Sequence, residues 1–285
     1  MLTGRSVSHV KQPIGKHYSK LTVEGYYNDL TRKVLRGKGS LLPSEKVETG
    51  EVLTLPTEVF QYGLGAYDLY LTSKKAKYLE IFKECSYWAI NNLADNGSWN
   101  NFYFIYPNNP YSSMTQGEGA SLLIRAYCFF NDEKFFISAK KAIDFMLLPV
   151  EQGGTTFYKD NQVVLLEYTN KPPVLNGWIF SIFGLYDFCK ITHDNHYQTV
   201  LERTVDTLTD MMACFDSGFW SKYDSEATLA SPFYHSLHIA LLNAMDDIFG
   251  CKSFSIYSTR FLRYRKNVFY RIKAFFLKAK QKIKE

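Results

Sequence analysis

Paired cysteines are missing from this 285-residue chain. Its five cysteines (Cys85, Cys128, Cys189, Cys214 and Cys251) are widely spaced and odd in number, and none belongs to a C-x-x-C, so neither a disulfide framework nor a zinc site is indicated. That usage fits a reducing compartment. Long apolar runs are missing too. The longest, around Trp178 to Tyr186, is far too short to cross a bilayer, and the first thirty residues hold no apolar stretch of signal-peptide length. The expected location is the cytoplasm. The folded body also lacks excess positive charge. Arg260 to Glu285 contains ten Lys or Arg and one acid, a net +9, so the formal +5 of the whole chain leaves −4 for residues 1–259. Basicity is a property of the tail, and with no basic face or recognition module on the body, nucleic acid is not an expected partner.

What the chain has in abundance is aromatic side chains and a repeat. Twenty-two Phe and 21 Tyr supply ample core, and exposed ones can stack on sugar rings. Aligned against itself, the chain repeats about every sixty residues: GLGAYDLYLTSKKAKYLEIF at Gly63, SLLIRAYCFFNDEKFFISAKKA at Ser121, SIFGLYDFCKITHDNHYQTVLERTV at Ser181 and LLNAMDDIFGCKSFSIYSTRF at Leu241. Tyr67, Tyr127, Tyr186 and Met245 hold equivalent places. Apolar residues recur at three and four, as in Leu122, Ala126, Phe129 and Phe130, which is helix period. The fold class this predicts is mainly α, an incomplete α/α toroid of helical hairpins. Between the second and third hairpins, Gly153 to Leu166 places β-branched and aromatic residues on either side of Lys159-Asp-Asn161, a small β-hairpin insertion. The predicted layout is an N-terminal arm (1–50), the toroid (51–255) and a basic amphipathic helix (256–285).

Local signals add detail. Ser231 and Pro232 read as an N-cap and first helical position, which puts Tyr234 in a first turn where the helix dipole favours a phenolate. Asn176 reads as the cap of a helix beginning at Gly177. Thr115-Gln-Gly-Glu118 has the form of a capping box, making Glu118 structural. His235 and His238 lie three apart on one helix but have no apparent third ligand, so no metal is expected. In the tail, Leu262, Phe269, Ile272, Phe276 and Ile283 can share one helical face with Arg and Lys around it. That pattern suits either an anionic membrane surface or packing on the toroid.

The segment Leu166-Glu-Tyr-Thr-Asn-Lys-Pro-Pro-Val-Leu-Asn-Gly-Trp178 places a carboxylate and a phenol side by side before a helix start. With FWSKYD and SPFYHSLHI downstream, it resembles the catalytic C-terminal domain of the D-glucuronyl C5-epimerases, which invert uronate residues within heparosan or heparan-type polysaccharide. The resemblance extends over roughly residues 50 to 250. It implies proton removal from the carbon next to the carboxylate and return on the other face, with no cofactor. The family's Glu-Tyr pair falls on Glu167 and Tyr168, its second tyrosine on Tyr223 and its third on Tyr234. Asn176 in VLNG, Gln116 in the QG word, Trp99 in DNGSW and His235 beside Tyr234 become candidates for substrate binding. Glu226 stands where animal members carry Arg, which puts substrate contacts in doubt more than the acid-base set. The membrane anchor and β-rich N-terminal domains of animal members are absent from the sequence, as in a compact microbial version. The partners so implied are a uronate polysaccharide, a membrane-associated synthase at the inner membrane face, and a second copy of the chain as a homodimer. A polysaccharide lyase and a non-catalytic glycan-binding subunit are the alternatives.

Overall fold

The computed structural model describes residues 10–37, 39–46 and 50–284. The chain enters through an irregular arm, a short helix α1 (Thr31–Arg36) and a ribbon of β1 (Glu45–Lys46) and β2 (Val52–Leu53). The expected boundary at residue 50 falls inside that ribbon, and its first nine residues lie outside the described ones. Four αα-hairpins follow: α2 (Pro56–Ser73) with α3 (Ala76–Asn91), α4 (Ser113–Phe130) with α5 (Glu133–Leu147), α6 (Leu175–Thr192) with α7 (Asn195–Met211), and α8 (Pro232–Phe249) with α9 (Lys252–Lys266). A last helix, α10, spans Val268–Lys284. The sixty-residue repeat is therefore a repeat of hairpins. Each turns through one residue in the left-handed conformation, Lys74, Asn131, His193 or Gly250, at φ between 51° and 65°. Their carbonyl-bonded N–H groups close the preceding helix in the usual C-terminal manner.

The first helix of each hairpin packs on the next, α2 on α4, α4 on α6 and α6 on α8, so these four form the inner layer of an incomplete α/α toroid. Neighbours α2, α4 and α6 run parallel, since the offset between bonded residues stays nearly fixed along each pair: Thr57 to Thr115 and Gln61 to Glu118 are 58 and 57 apart, and Ser113 to Ser181 and Ser121 to Asp187 are 68 and 66 apart. Helices α4 and α6 approach closely because Gly117 and Gly184 face each other. A Cβ on Gly184 would sit 2.2 Å from the Gly117 carbonyl oxygen. Between α5 and α6, β3 (Thr156–Lys159) and β4 (Gln162–Leu165) form the expected antiparallel hairpin, with Asp160 at positive φ in the turn.

The two ends of the inner layer have different fates. At the C-terminal ends of the inner helices, the arm passes across as a strap. The Tyr26 N–H donates to Asp68 of α2 (3.0 Å), Arg125 of α4 donates to the Gly25 carbonyl (2.7 Å), the Tyr27 hydroxyl donates to Asp187 of α6, and Tyr18 donates to Asp247 of α8 (2.7 Å). Tyr26 and Tyr27 are fully buried. The N-terminal ends of the inner helices carry the loops between hairpins, and the sequence-predicted site residues belong to that end.

The tail departs from expectation. Residues 256–266 belong to α9, whose Phe254, Ser258, Phe261 and Tyr264 are buried at helical spacing as the outer half of the fourth hairpin. Asn267 breaks the helix, and its side chain accepts from the Tyr270 N–H (3.1 Å) to start α10. The basic amphipathic helix is thus α10 alone, and Leu262 lies outside its face. No helix among the described residues is long and apolar enough to cross a membrane.

Candidate active site

Glu167 is placed by backbone on both sides. The Leu166 N–H donates to the Thr155 carbonyl (2.9 Å), and the Leu166 carbonyl accepts from Ser113 N–H at the start of α4 (2.9 Å). The next side chain is thereby directed at the first turn of α6, where Gly177 admits it. A Cβ on Gly177 would meet Glu167 Oε2 at 2.2 Å. Helix α6 begins at Leu175 with Val174 as its N-cap, two residues earlier than a cap at Asn176 would allow. Asn176 is instead in the first turn. Its Nδ2 reaches Glu167 Oε2 at 3.4 Å, and its buried Oδ1 has no partner among the described residues.

Tyr223 arrives from the opposite direction. The Tyr223 carbonyl accepts from Leu175 N–H (3.1 Å), Ser225 N–H donates to Pro173 (2.9 Å), and Val174 forms a bridge with Asp224. This short pairing between the Pro-Pro segment and the 223–228 loop holds the Tyr223 hydroxyl 3.4 Å from Glu167 Oε1. Asp224 stabilises the loop by accepting from the N–H groups of Glu226, Ala227 and Thr228. Glu226 is exposed at the tip of that turn. Ser231 caps α8 as expected, its Oγ accepting from Tyr234 N–H (3.3 Å). The Tyr234 ring, in the first turn, packs edge-on against Tyr223 with centroids 4.9 Å apart.

Tyr168 forms the other wall. It stacks on Phe102 (4.6 Å, 16°) and meets Tyr106 edge-on (5.9 Å). Lys171 bonds the Tyr106 hydroxyl and holds its ammonium 4.5 Å and 5.3 Å from the centroids of the Tyr106 and Tyr168 rings. Of this wall only Tyr168 was singled out by sequence reasoning; Lys171, Phe102 and Tyr106 were not. The signals were there, in the lysine four residues after Glu167 and the tyrosine-rich FYFIYPNNPY segment, but only the fold brings the two together.

The electrostatics separate these groups. Glu167 is 6% exposed. Burial raises its carboxyl, against partial opposition from the Tyr168 and Tyr223 hydroxyls, to about 7. Tyr168 and Tyr223 are raised above the usual phenol range, first by burial and then by the Glu167 charge beside them. A carboxylate that titrates near neutrality thus sits among phenols that stay protonated. The arrangement can take a proton at Glu167 and offer O–H groups around it.

Three of the expected binding residues are elsewhere. Trp99 is a core residue, donating to the Ala89 carbonyl (2.9 Å) and packed on Phe60 (4.6 Å), so its face is not available to a sugar. Gln116 is fully buried, and in the amide orientation that satisfies both of its polar atoms it donates to Gly97 O (3.1 Å) and accepts from Trp99 N–H (3.0 Å), stitching the DNGSW turn to α4. His235 is buried and stacked on Trp220 at 3.6 Å. Its Nδ1 meets Ser221 N–H (3.1 Å) and Oγ (2.8 Å), and its Nε2 bonds the Phe261 carbonyl (3.0 Å). Burial pushes its pKa down to about 3, so it is a neutral tie between the FWSKYD loop and α9 and cannot neutralise a substrate charge. His238 converges on the same Ser221 hydroxyl (2.9 Å). The capping box at Thr115 is also replaced. Ser112 caps α4, and Glu118 is a buried carboxyl, raised well above its usual range, that accepts two contacts from Gln61 (2.9 and 3.1 Å).

The sequence matches the family described as D-glucuronyl C5-epimerase C-terminus over residues 95–263, which includes Glu167, Tyr168, Asn176, Tyr223 and Tyr234. The D-glucuronyl C5-epimerase of Caenorhabditis elegans is 27% identical over 201 residues, covering 60% of this chain and 33% of that protein. An uncharacterized protein of Methanocaldococcus jannaschii is 30% identical over 132 residues, covering 44% of this chain and 43% of the other. The chain therefore spans less than half the length of either relative. Among solved structures, the GH76A α-1,6-mannanase of Salegentibacter sp. HEL1_6 superposes with a TM-score of 0.48 at 12% identity, over 68% of this chain and 56% of that one, a likeness too distant to bear on the site. With more than half of its residues matched, and the Glu-Tyr pair and both further tyrosines gathered at one end of the toroid, this chain belongs to the D-glucuronyl C5-epimerase C-terminal family.

Proposed function

We propose that the chain epimerises D-glucuronate residues to L-iduronate at C5 within a heparosan-like polysaccharide. The observation that carries this reading is a buried Glu167 titrating near 7 with the Tyr223 hydroxyl 3.4 Å away and Tyr234 packed behind it. In the gluco-to-ido direction, the ionised Glu167 carboxylate takes the C5 proton. The C–H bonding pair moves toward the substrate carboxyl as an enediolate, and a phenol, assigned to Tyr234, returns a proton on the opposite face. Lys171 meets the uronate carboxylate and makes the developing charge tolerable. Asn176, buried in the first turn of α6, positions the base through its Nδ2 contact to Glu167 Oε2 at 3.4 Å. Between turnovers Glu167 loses its proton to solvent and Tyr234 regains one from solvent, while Tyr223 holds Glu167 through its hydroxyl and Tyr234 through its ring. The reverse reaction uses the same groups in opposite protonation states.

The test is incubation with heparosan in deuterium oxide, followed by NMR and mass spectrometry. The expected result is deuterium at C5 with iduronate signals and unchanged chain length. Shortened chains with unsaturated, ultraviolet-absorbing ends would replace epimerisation with β-elimination, which begins with the same proton abstraction. Binding without any label, in heparosan and related uronate polymers, would make the chain a glycan-binding subunit, a role for which Glu226 in place of the animal arginine would then be the leading explanation.

A further inference from the structure

Helix α10 presents two opposed faces. Toward the body lie Tyr270, Ala274, Leu277 and Gln281 at helical spacing; Ala274 is buried, and Tyr270 packs edge-on against Tyr264 (5.5 Å). Away from it lie Phe269, Ile272, Phe276 and Ile283, spaced three, four and seven apart and therefore along one line. They are exposed to 82%, 50%, 66% and 86%. Helical geometry places Arg271 and Lys282 along one flank of that line, and Lys273 and Lys280 along the other. From Val268 to Lys284 there are six basic residues and no acid. An apolar line that the body leaves uncovered, bordered on both sides by cations, is complementary to a bilayer with anionic headgroups.

The inner face touches the loop that delivers Tyr223. Gln281 Oε1 accepts from Leu229 N–H (3.1 Å), and Gln281 Nε2 donates to the Ala227 carbonyl (2.8 Å). Lys273 lies over the Phe219 ring at 4.2 Å. Leu277, Lys280 and Gln281 form one side of a groove of about 290 Å³ whose other side is Ser217, Phe219, Lys222 and Leu229. We infer that α10 docks the protein on an anionic lipid surface through Phe269, Ile272, Phe276 and Ile283, and that the docked helix, gripping residues 227–229 through Gln281, holds the Tyr223 loop against the first turn of α6. This builds on the proposed epimerase site, but the docking itself does not depend on it. It places the site beside a membrane, where a nascent polysaccharide would be extruded.

The test uses the full chain with vesicles of phosphatidylglycerol and phosphatidylcholine, compared with phosphatidylcholine alone, in a co-sedimentation assay. Binding is expected only to the anionic vesicles, and it should fall as salt rises. The Phe269→Ser/Phe276→Ser variant changes only exposed residues and should keep its thermal midpoint while losing at least tenfold in vesicle affinity. Arg271→Glu/Lys282→Glu should lose the anionic selectivity. Gln281→Ala should bind vesicles normally but lower uronate C5 exchange, with the Tyr223 loop more open to hydrogen exchange. Failure to bind anionic vesicles, or equal binding by the serine variant, overturns the docking. A concentration-dependent dimer that the serine variant abolishes would assign the face to a second copy of the chain and overturn it as well. Vesicle binding with no C5 exchange in any variant would leave docking standing and remove the epimerase reading alone.

Discussion

At the residue scale, Glu167 is where burial and chemistry meet. Its carboxyl is raised from the ordinary value to about 7 in the folded protein because desolvation penalises the ion. A raised acid favours folding at low pH, and that contribution is lost as pH climbs through 7. Glu167→Gln removes the ionisation, so its thermal stability should exceed the parent's at pH 8 by an amount bounded at about 3 kcal/mol, with the difference vanishing near pH 4. Turnover in the same variant, and in Tyr234→Phe, should fall about a hundredfold or more for lost proton transfer. Urea or thermal unfolding at the two pH values and an isotope-exchange assay check both halves. A gain over the parent no larger at pH 8 than at pH 4 would mean that Glu167 is not desolvated as described. The Glu-Tyr pair, Tyr223 and Tyr234 were legible because they lie in short distinctive words. The buried states of Trp99, Gln116 and His235 were not. Nothing local distinguishes a histidine lining a cleft from one stacked on a tryptophan fifteen residues away.

At the scale of elements, the repeat was legible because each hairpin writes apolar residues at helical spacing and ends its first helix at an equivalent place. Helix starts were harder to read. Asn176 is a good capping residue in isolation, but backbone pairing of Pro173 and Val174 with the 223–225 loop fixes the start of α6 at Leu175. The consequence is that Gly177 occupies the first turn directly under Glu167. Replacing it by alanine should gain about 1 kcal/mol of helix propensity and lose about 1–3 kcal/mol to the collision with Glu167. Net stability should therefore fall by no more than about 2 kcal/mol while activity drops at least tenfold, because the carboxylate must move. A Gly177→Ala protein with normal exchange kinetics would show that Glu167 is not held where the proton is taken.

At the scale of the whole molecule, the toroid is joined at one end by a strap whose importance composition did not advertise. The arm is polar, yet Tyr26, Tyr27 and the Gly25 carbonyl converge on Arg125 and Asp187, both fully buried between α4 and α6. Ser121 adds a donor to Asp187 at 2.7 Å. Such a pair contributes little beyond an apolar substitute, but halving it leaves a buried charge without its partner. Arg125→Leu should then cost about 3–5 kcal/mol, and Arg125→Leu/Asp187→Leu should recover a substantial part of that loss. The arm reports the same event locally. With Arg125 gone, its hold on the Glu24 and Gly25 carbonyls goes too, and limited proteolysis should cut between residues 15 and 30 before any cut in α4 or α6. If the arm stays protected in the single variant while stability falls, the strap is secured by its tyrosines packing on Phe180 and Phe183, and the polar cluster serves only to join the two inner helices.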